Sequence, residues 1–154
     1  MNYYSLHHKS PKTTFKNAVV QGLAKDRGIY FPERITPLPD DFIQNITKYS
    51  NHEIAYQVIE QFIGDEIPSE QLRNIITETI SFDFPLVNID DNIASLELFH
   101  GPTMAFKDVG ATFMARCLEY FNRDHEEDVT VLVATSGDTG GAVANGFLEA
   151  KGVN

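Results

Sequence analysis

A single cysteine, Cys117, is all the thiol this 154-residue chain holds, so no internal disulfide can form and a reducing cytoplasm is the expected compartment. Basic side chains are scarce as well. Twelve lysines and arginines stand against 22 aspartates and glutamates, a formal charge of -10. A surface of that sign repels phosphate backbones and anionic headgroups, so neither nucleic acid nor membrane is an expected partner. No run approaches the ~18 apolar residues a membrane helix needs. The stretch Met1-Asn2-Tyr3-Tyr4-Ser5-Leu6-His7-His8-Lys9 has no apolar signal core, so secretion is not expected either. His7, His8, His52, His100 and His125 show no metal-ligand spacing, and one thiol adds little, so no metal site is expected. Internal repeats and low-complexity stretches are absent.

What remains is the mixture of a globular protein, with 42% hydrophobic and 22% charged residues. The length suffices for one core of ordinary size. Residues 1–85 read as a mainly helical region. Thr14 is placed to cap a helix carrying Phe15, Ala18, Val19 and Leu23 that closes near Gly28. Gly28-Ile29-Tyr30-Phe31-Pro32 then reads as a short strand stopped by proline. Helices are predicted over 40–49 and 53–63, the second with Ile54, Val58, Ile59 and Phe62 on one face. Pro68-Ser69 opens another, through Leu72, Ile75, Ile76 and Ile80, and Phe84-Pro85 ends it.

Residues 86–154 follow a different rhythm: strand, loop, helix, strand, loop, helix. A short apolar strand is predicted over 93–99. An amphipathic helix follows, with Val109, Phe113, Cys117, Leu118 and Phe121 on one face. The β-branched run over 129–134 reads as a strand buried on both faces, and a helix with Ala142, Val143, Gly146, Phe147 and Ala150 comes after it. This alternation implies an α/β fold with a parallel sheet. Two strands and two helices cannot close such a sheet, so the domain in 86–154 reads as incomplete.

Open parallel sheets place ligands where strands lead into helix N-termini. Two loops lie there. The first, His100-Gly101-Pro102-Thr103-Met104-Ala105-Phe106-Lys107-Asp108, sets Lys107 at the start of a helix. A helix N-terminus and apolar neighbours both disfavour the ammonium form, and a neutral amine can form an imine with an aldehyde cofactor. The plain alternative is a surface lysine paired with Asp108. The second loop, Thr135-Ser136-Gly137-Asp138-Thr139-Gly140-Gly141, lets backbone amides approach an anion. It is neither a GxGxxG turn nor a P-loop. Asp138 would repel a phosphate, so the carboxylate of an amino acid whose nitrogen lies near Asp138 fits better. Alternatively, Asp138 or Thr139 is an ordinary N-cap. Cys117 falls on an apolar helix face, so a buried role is expected rather than nucleophilic catalysis.

Glu97-Leu98-Phe99-His100-Gly101-Pro102-Thr103-Met104-Ala105-Phe106-Lys107-Asp108 and Ala134-Thr135-Ser136-Gly137-Asp138-Thr139-Gly140 together resemble the two signature blocks of the threonine synthase family. The leader is similar to that family as well, in Gly22-Leu23-Ala24-Lys25-Asp26-Arg27-Gly28-Ile29-Tyr30-Phe31-Pro32 and in Phe62-Ile63-Gly64-Asp65-Glu66-Ile67-Pro68. The resemblance implies a fold-type-II enzyme that uses pyridoxal phosphate to convert O-phosphohomoserine and water into threonine and phosphate. By the same resemblance Lys107 carries the cofactor as an imine and shuttles protons. Asp108 and Asp138 are cofactor-side candidates. The loop from Thr135 through Ser136, Gly137 and Asp138 to Thr139 would bind the substrate carboxylate, and His100 and Thr103 are further substrate-side candidates. Family members are much longer, so the isolated chain is expected to be catalytically incompetent. A threonine/serine dehydratase, a cysteine-synthase-like enzyme and a non-catalytic binding module are the competing readings.

Overall fold

Tyr3 and Ser5 alternate inward along a first strand, a period-2 pattern too short to be recognised in the sequence. This strand, β1 (Asn2–Ser5), lies between β2 (Thr13–Thr14) and β3 (Tyr30–Pro32) in a small antiparallel sheet. A computed structural model describes residues 1–135 and 137–154, which divide into two compact units, Met1–Ile76 and Thr77–Asn154.

In the first unit Thr14 caps α1 (Phe15–Gln21) as the sequence suggests, accepting the Asn17 amide at 3.3 Å. The helix ends at Gly22 and not near Gly28, because Gly22 adopts a left-handed φ of 68° that breaks the repeat. Glu66 caps α1 a second time, its carboxylate accepting the amides of Phe15 at 2.8 Å and Lys16 at 3.0 Å. The helix predicted over 40–49 is two pieces, α2 (Asp40–Gln44) and a 3-10 turn (Ile46–Lys48). Asn45 parts them, its side-chain amide donating back to the Asp41 carbonyl at 2.8 Å. Ser50 caps α3 (Asn51–Ile63), which buries Tyr56 and Ile63 instead of the predicted apolar face. The Arg73 guanidinium covers the Tyr56 ring at 3.8 Å. In α4 (Ser69–Thr79) Leu72, Ile75 and Ile76 are buried as their spacing predicts, but the helix ends before Ile80 and well short of Phe84-Pro85.

The turn after α1 is tied together by one carboxylate. Asp26 accepts from the Ser5 hydroxyl at 2.6 Å, the Gly28 amide at 3.0 Å and the Lys9 amide at 2.9 Å. A Cβ on Gly28 would strike the Ser5 hydroxyl, so only glycine fits there. The Ser5 hydroxyl first, and then the Gly28 and Lys9 amides, hold the Asp26 carboxyl well below the usual carboxylate range. Because the folded pKa lies below the unfolded one, this stabilisation is complete at neutral pH. It is lost as pH falls below about 4, where the unfolded carboxylate begins to take up protons. Asp26→Asn is therefore expected to destabilise the chain at pH 7 and to differ progressively less from the parent in acid. Urea midpoints measured from pH 7 down to 3 check the sign.

The second unit opens with an antiparallel hairpin, β4 (Leu86–Asp90) and β5 (Ile93–Leu96), which leaves Leu86, Ile89, Ile93 and Leu96 exposed. The strand predicted over 93–99 is thus shorter, and it pairs with a neighbour the sequence reading did not foresee. Two helices follow, α5 (Lys107–Asn122) and α6 (Asp138–Phe147). Ala111, Ala115, Cys117, Leu118 and Phe121 of α5 are buried, as are Ala142 and Gly146 of α6. Gly146 lies so close to α5 that an added Cβ would come within 3.0 Å of the Ala111 carbonyl carbon. Burial pushes the Cys117 thiol up to about 12, so it stays protonated and inert.

The run over 129–134 is not the doubly buried strand its composition implies. Leu132 is 91% exposed, and the single parallel contact among the described residues is the Val129–Val153 bridge. Backbone bonds from Val129 to Gly152 at 2.9 Å and from Asn154 to Val129 at 2.8 Å form it. A parallel strand is buried only when neighbours lie on both sides and helices cover its faces, and this chain supplies one short neighbour. The α/β character is present; the parallel sheet is only begun.

Candidate functional site

Lys107 is the first residue of α5 and is half-buried, as its place in the sequence implies. Its Nζ lies 4.6 Å from the centroid of the Phe106 ring, a cation–π distance. Among the described residues it forms no ion pair. The plain alternative, a surface lysine paired with Asp108, is therefore not what the chain adopts.

Asp108 faces the protein interior and is 1% exposed. Its carboxylate accepts the Thr103 amide at 3.0 Å and the Thr103 hydroxyl at 2.5 Å. Thr103, expected on the substrate side, donates its hydroxyl to Asp108. Between them Met104 adopts a left-handed φ of 56° and donates its amide to the Gly101 carbonyl at 3.0 Å. Gly101 is held tightly, since a Cβ there would lie 2.5 Å from Asp108 Oδ2 and 2.8 Å from the Phe82 ring. Sequence reasoning missed both the Gly101–Phe82 contact and the left-handed Met104. The glycine hinted at the first, and nothing local pointed to Phe82. His100 is exposed, pairs with Glu97 at 2.7 Å and stacks on Phe99.

In the second loop Asp138 and Thr139 begin α6, and the N-cap position is held by Gly137. Asp138 and Thr139 lie inside the helix, so neither occupies the N-cap position. Backbone amides at a helix start of this kind suit a carboxylate. Thr135 accepts the Gly137 amide at 3.4 Å and presses its methyl toward Gly140. Ser136 lies outside the described residues. The structure thus draws Gly101, Thr103 and Asp108 into one cluster around the base of Lys107, and Thr135, Gly137 and Gly140 into another. Among the described residues no hydrogen bond joins the two loops.

A family model described as "Threonine synthase N terminus" matches residues 2–80. The threonine synthase of Buchnera aphidicola subsp. Baizongia pistaciae is 42% identical over 99% of this chain and 36% of its own length. That of Escherichia coli K12 is 40% identical over 96% of this chain and 34% of its length. A crystal structure of the Escherichia coli threonine synthase superposes with a TM-score of 0.91 at 39% identity, covering 99% of this chain and 35% of that one. A threonine synthase structure from Brucella melitensis with bound pyridoxal phosphate (PLP) gives 0.92 at 36% identity, over the whole of this chain and 34% of that one. The chain therefore spans about a third of the length of the relatives it matches. No helix among the described residues is long and apolar enough to cross a membrane. A family match over more than half the chain, two signature loops and a shared backbone agree: this chain belongs to the threonine synthase family.

Proposed function

We propose that this chain provides the amine-bearing part of a fold-type-II threonine synthase, the enzyme that converts O-phosphohomoserine and water into threonine and phosphate. The observation that carries this reading is Lys107: a primary amine at a helix start, half-buried and free of any carboxylate partner among the described residues. That donor fits pyridoxal phosphate, whose aldehyde requires an uncharged amine and whose ring, when bound, supplies an electron sink for chemistry at the substrate's α carbon. Lys107 would hold the cofactor and, once displaced, take the proton from the substrate's α carbon and help move the β proton. The amides opening α6 would hold the substrate carboxylate, and Asp138 would lie near the cofactor or the substrate nitrogen. Thr135, Ser136, Gly137 and Thr139 would shape that loop. His100 would border the substrate side. We place the protein in the cytoplasm, in keeping with a lone buried thiol.

In this reading residues 1–85 form the leader and 86–154 the first part of the cofactor domain. The relatives carry about twice as much chain again beyond the matched part, so the isolated chain is expected to release no phosphate from O-phosphohomoserine in a steady-state assay. Sustained phosphate release would contradict that expectation. Cofactor attachment is tested separately, by adding pyridoxal phosphate, reducing with borohydride and mapping the adduct by peptide mass spectrometry. Preferential label on Lys107 supports the assignment. Label scattered evenly over the lysines overturns it.

A further inference from the structure

Asp108 is the buried acid among the described residues, and it sits directly beside the reacting lysine. Burial of a carboxylate is costly unless both oxygens find donors. Both do so on a single residue, the Thr103 amide on Oδ2 and the Thr103 hydroxyl on Oδ1. The intervening backbone is closed by its own bonds, Met104 to Gly101 at 3.0 Å and Asp108 to Ala105 at 3.1 Å. Phe106 occupies the N-cap position of α5 and has no side-chain oxygen to offer the first turn. An uncapped first turn frays readily, and fraying here would carry Lys107 with it.

We infer that Asp108 and Thr103 are a latch that positions Lys107, the carboxylate acting through Thr103 and touching neither cofactor nor substrate. The latch has two effects. It ties the first turn of α5 to the loop before it, so the backbone under Lys107 is fixed. It also draws the neighbouring carboxylate inward, away from the amine it would otherwise hold as an ammonium salt. Gly101 belongs to the same device, because any Cβ there would displace the Asp108 oxygen from Thr103. The inference deepens the proposed function, since it takes the Lys107 amine as the reacting group. It replaces the expected cofactor contact of Asp108, and the expected substrate contact of Thr103, by positioning roles.

The test reads Lys107 without any cofactor. Trace acylation by acetic anhydride, followed across pH, reports the reactivity of each lysine, with Lys25 and Lys151 as exposed references. Thr103→Val keeps the shape and removes the hydroxyl donor; Asp108→Asn removes the charge. Thr103→Val frees the carboxylate to turn toward the amine and is expected to lower Lys107 acylation relative to the references by about three- to tenfold, the equivalent of one lost hydrogen bond, whereas Asp108→Asn leaves no charge to pair with the amine and is expected to raise it. Thr103→Ser, which keeps the donor, is expected to match the parent. The double variant is expected to follow Asp108→Asn, because the lowering in Thr103→Val needs the freed carboxylate. An unchanged Lys107 profile in Thr103→Val and Asp108→Asn overturns the latch, and so does a parallel change at all three lysines, which marks general loosening. A parallel experiment with pyridoxal phosphate and borohydride separates the two ideas. Absence of Lys107 preference in the parent chain sinks the proposed function, while the acylation profiles alone decide the latch.

Discussion

Lys107→Ala is expected to remove the pyridoxal phosphate adduct from this chain and, in a full-length enzyme carrying the same residues, to lower turnover by at least about 10²–10⁴-fold, the range of a lost general base. The fold should survive, because Lys107 is half-buried and its amine forms no ion pair among the described residues. Lys107→Arg sharpens the point. It keeps a cation over the Phe106 ring, but a guanidinium stays protonated and cannot condense with an aldehyde. Alanine and arginine should therefore be equally inactive. A mapped adduct in either variant at the parent's site, or turnover within about tenfold of the parent, would remove Lys107 from its assigned role. If arginine retained activity and alanine did not, the charge rather than the nucleophile would be what matters.

The second large effect concerns two glycines that look alike in the sequence. Gly110 and Gly146 each interrupt a helix, and helix propensity alone says that either would be improved by a Cβ. The structure separates them. Around Gly110 nothing lies within 4 Å of an added Cβ. Gly110→Ala is accordingly expected to stabilise the chain by about 0.5–1 kcal/mol, chiefly by restricting the unfolded state. Around Gly146 an added Cβ would meet backbone of α5, the Ala111 carbonyl carbon at 3.0 Å and the Thr112 nitrogen at 3.1 Å. Backbone inside a helix cannot step aside as a flexible side chain can. Gly146→Val is therefore expected to force α5 and α6 apart and to cost about 2–3 kcal/mol, net of any propensity gain. Urea unfolding of both variants checks this. A Gly146→Val protein as stable as the parent would mean that the helices are not in the contact described.

The contact has a bearing on the site. The atoms that Gly146 approaches lie one turn beyond Lys107, on the helix that Lys107 begins. A shift of α5 to make room for a larger residue would move the amine and the latch around it together. Loss of Lys107 labelling in Gly146→Val is expected to accompany the loss of stability.

Much was legible because the signals were local. The Thr14 cap, the α4 face of Leu72, Ile75 and Ile76, and the placing of Lys107 and Asp138 at helix starts all rest on neighbours within one helical turn. Other features depend on residues distant in sequence. Glu66 caps a helix about fifty residues earlier. The strand pairing of residues 2–5 and the partnership of Leu86–Asp90 with Ile93–Leu96 each need a second segment to satisfy backbone groups, and no single short segment announces its partner. The run over 129–134 went the other way. Its composition describes the strand it would be between two neighbours, and here one short bridge is all it has.

By itself the sequence determined the family and singled out Lys107 and the two loops as candidates, because signature blocks and helix-start chemistry are written in consecutive residues. Only the tertiary structure decided which way Asp108 turns. A carboxylate beside a lysine can pair with it or be drawn inward, and the choice falls to Thr103 and Gly101, whose amide, hydroxyl and missing Cβ make the interior the better-hydrogen-bonded place. That geometry leaves the Lys107 amine without a carboxylate partner among the described residues.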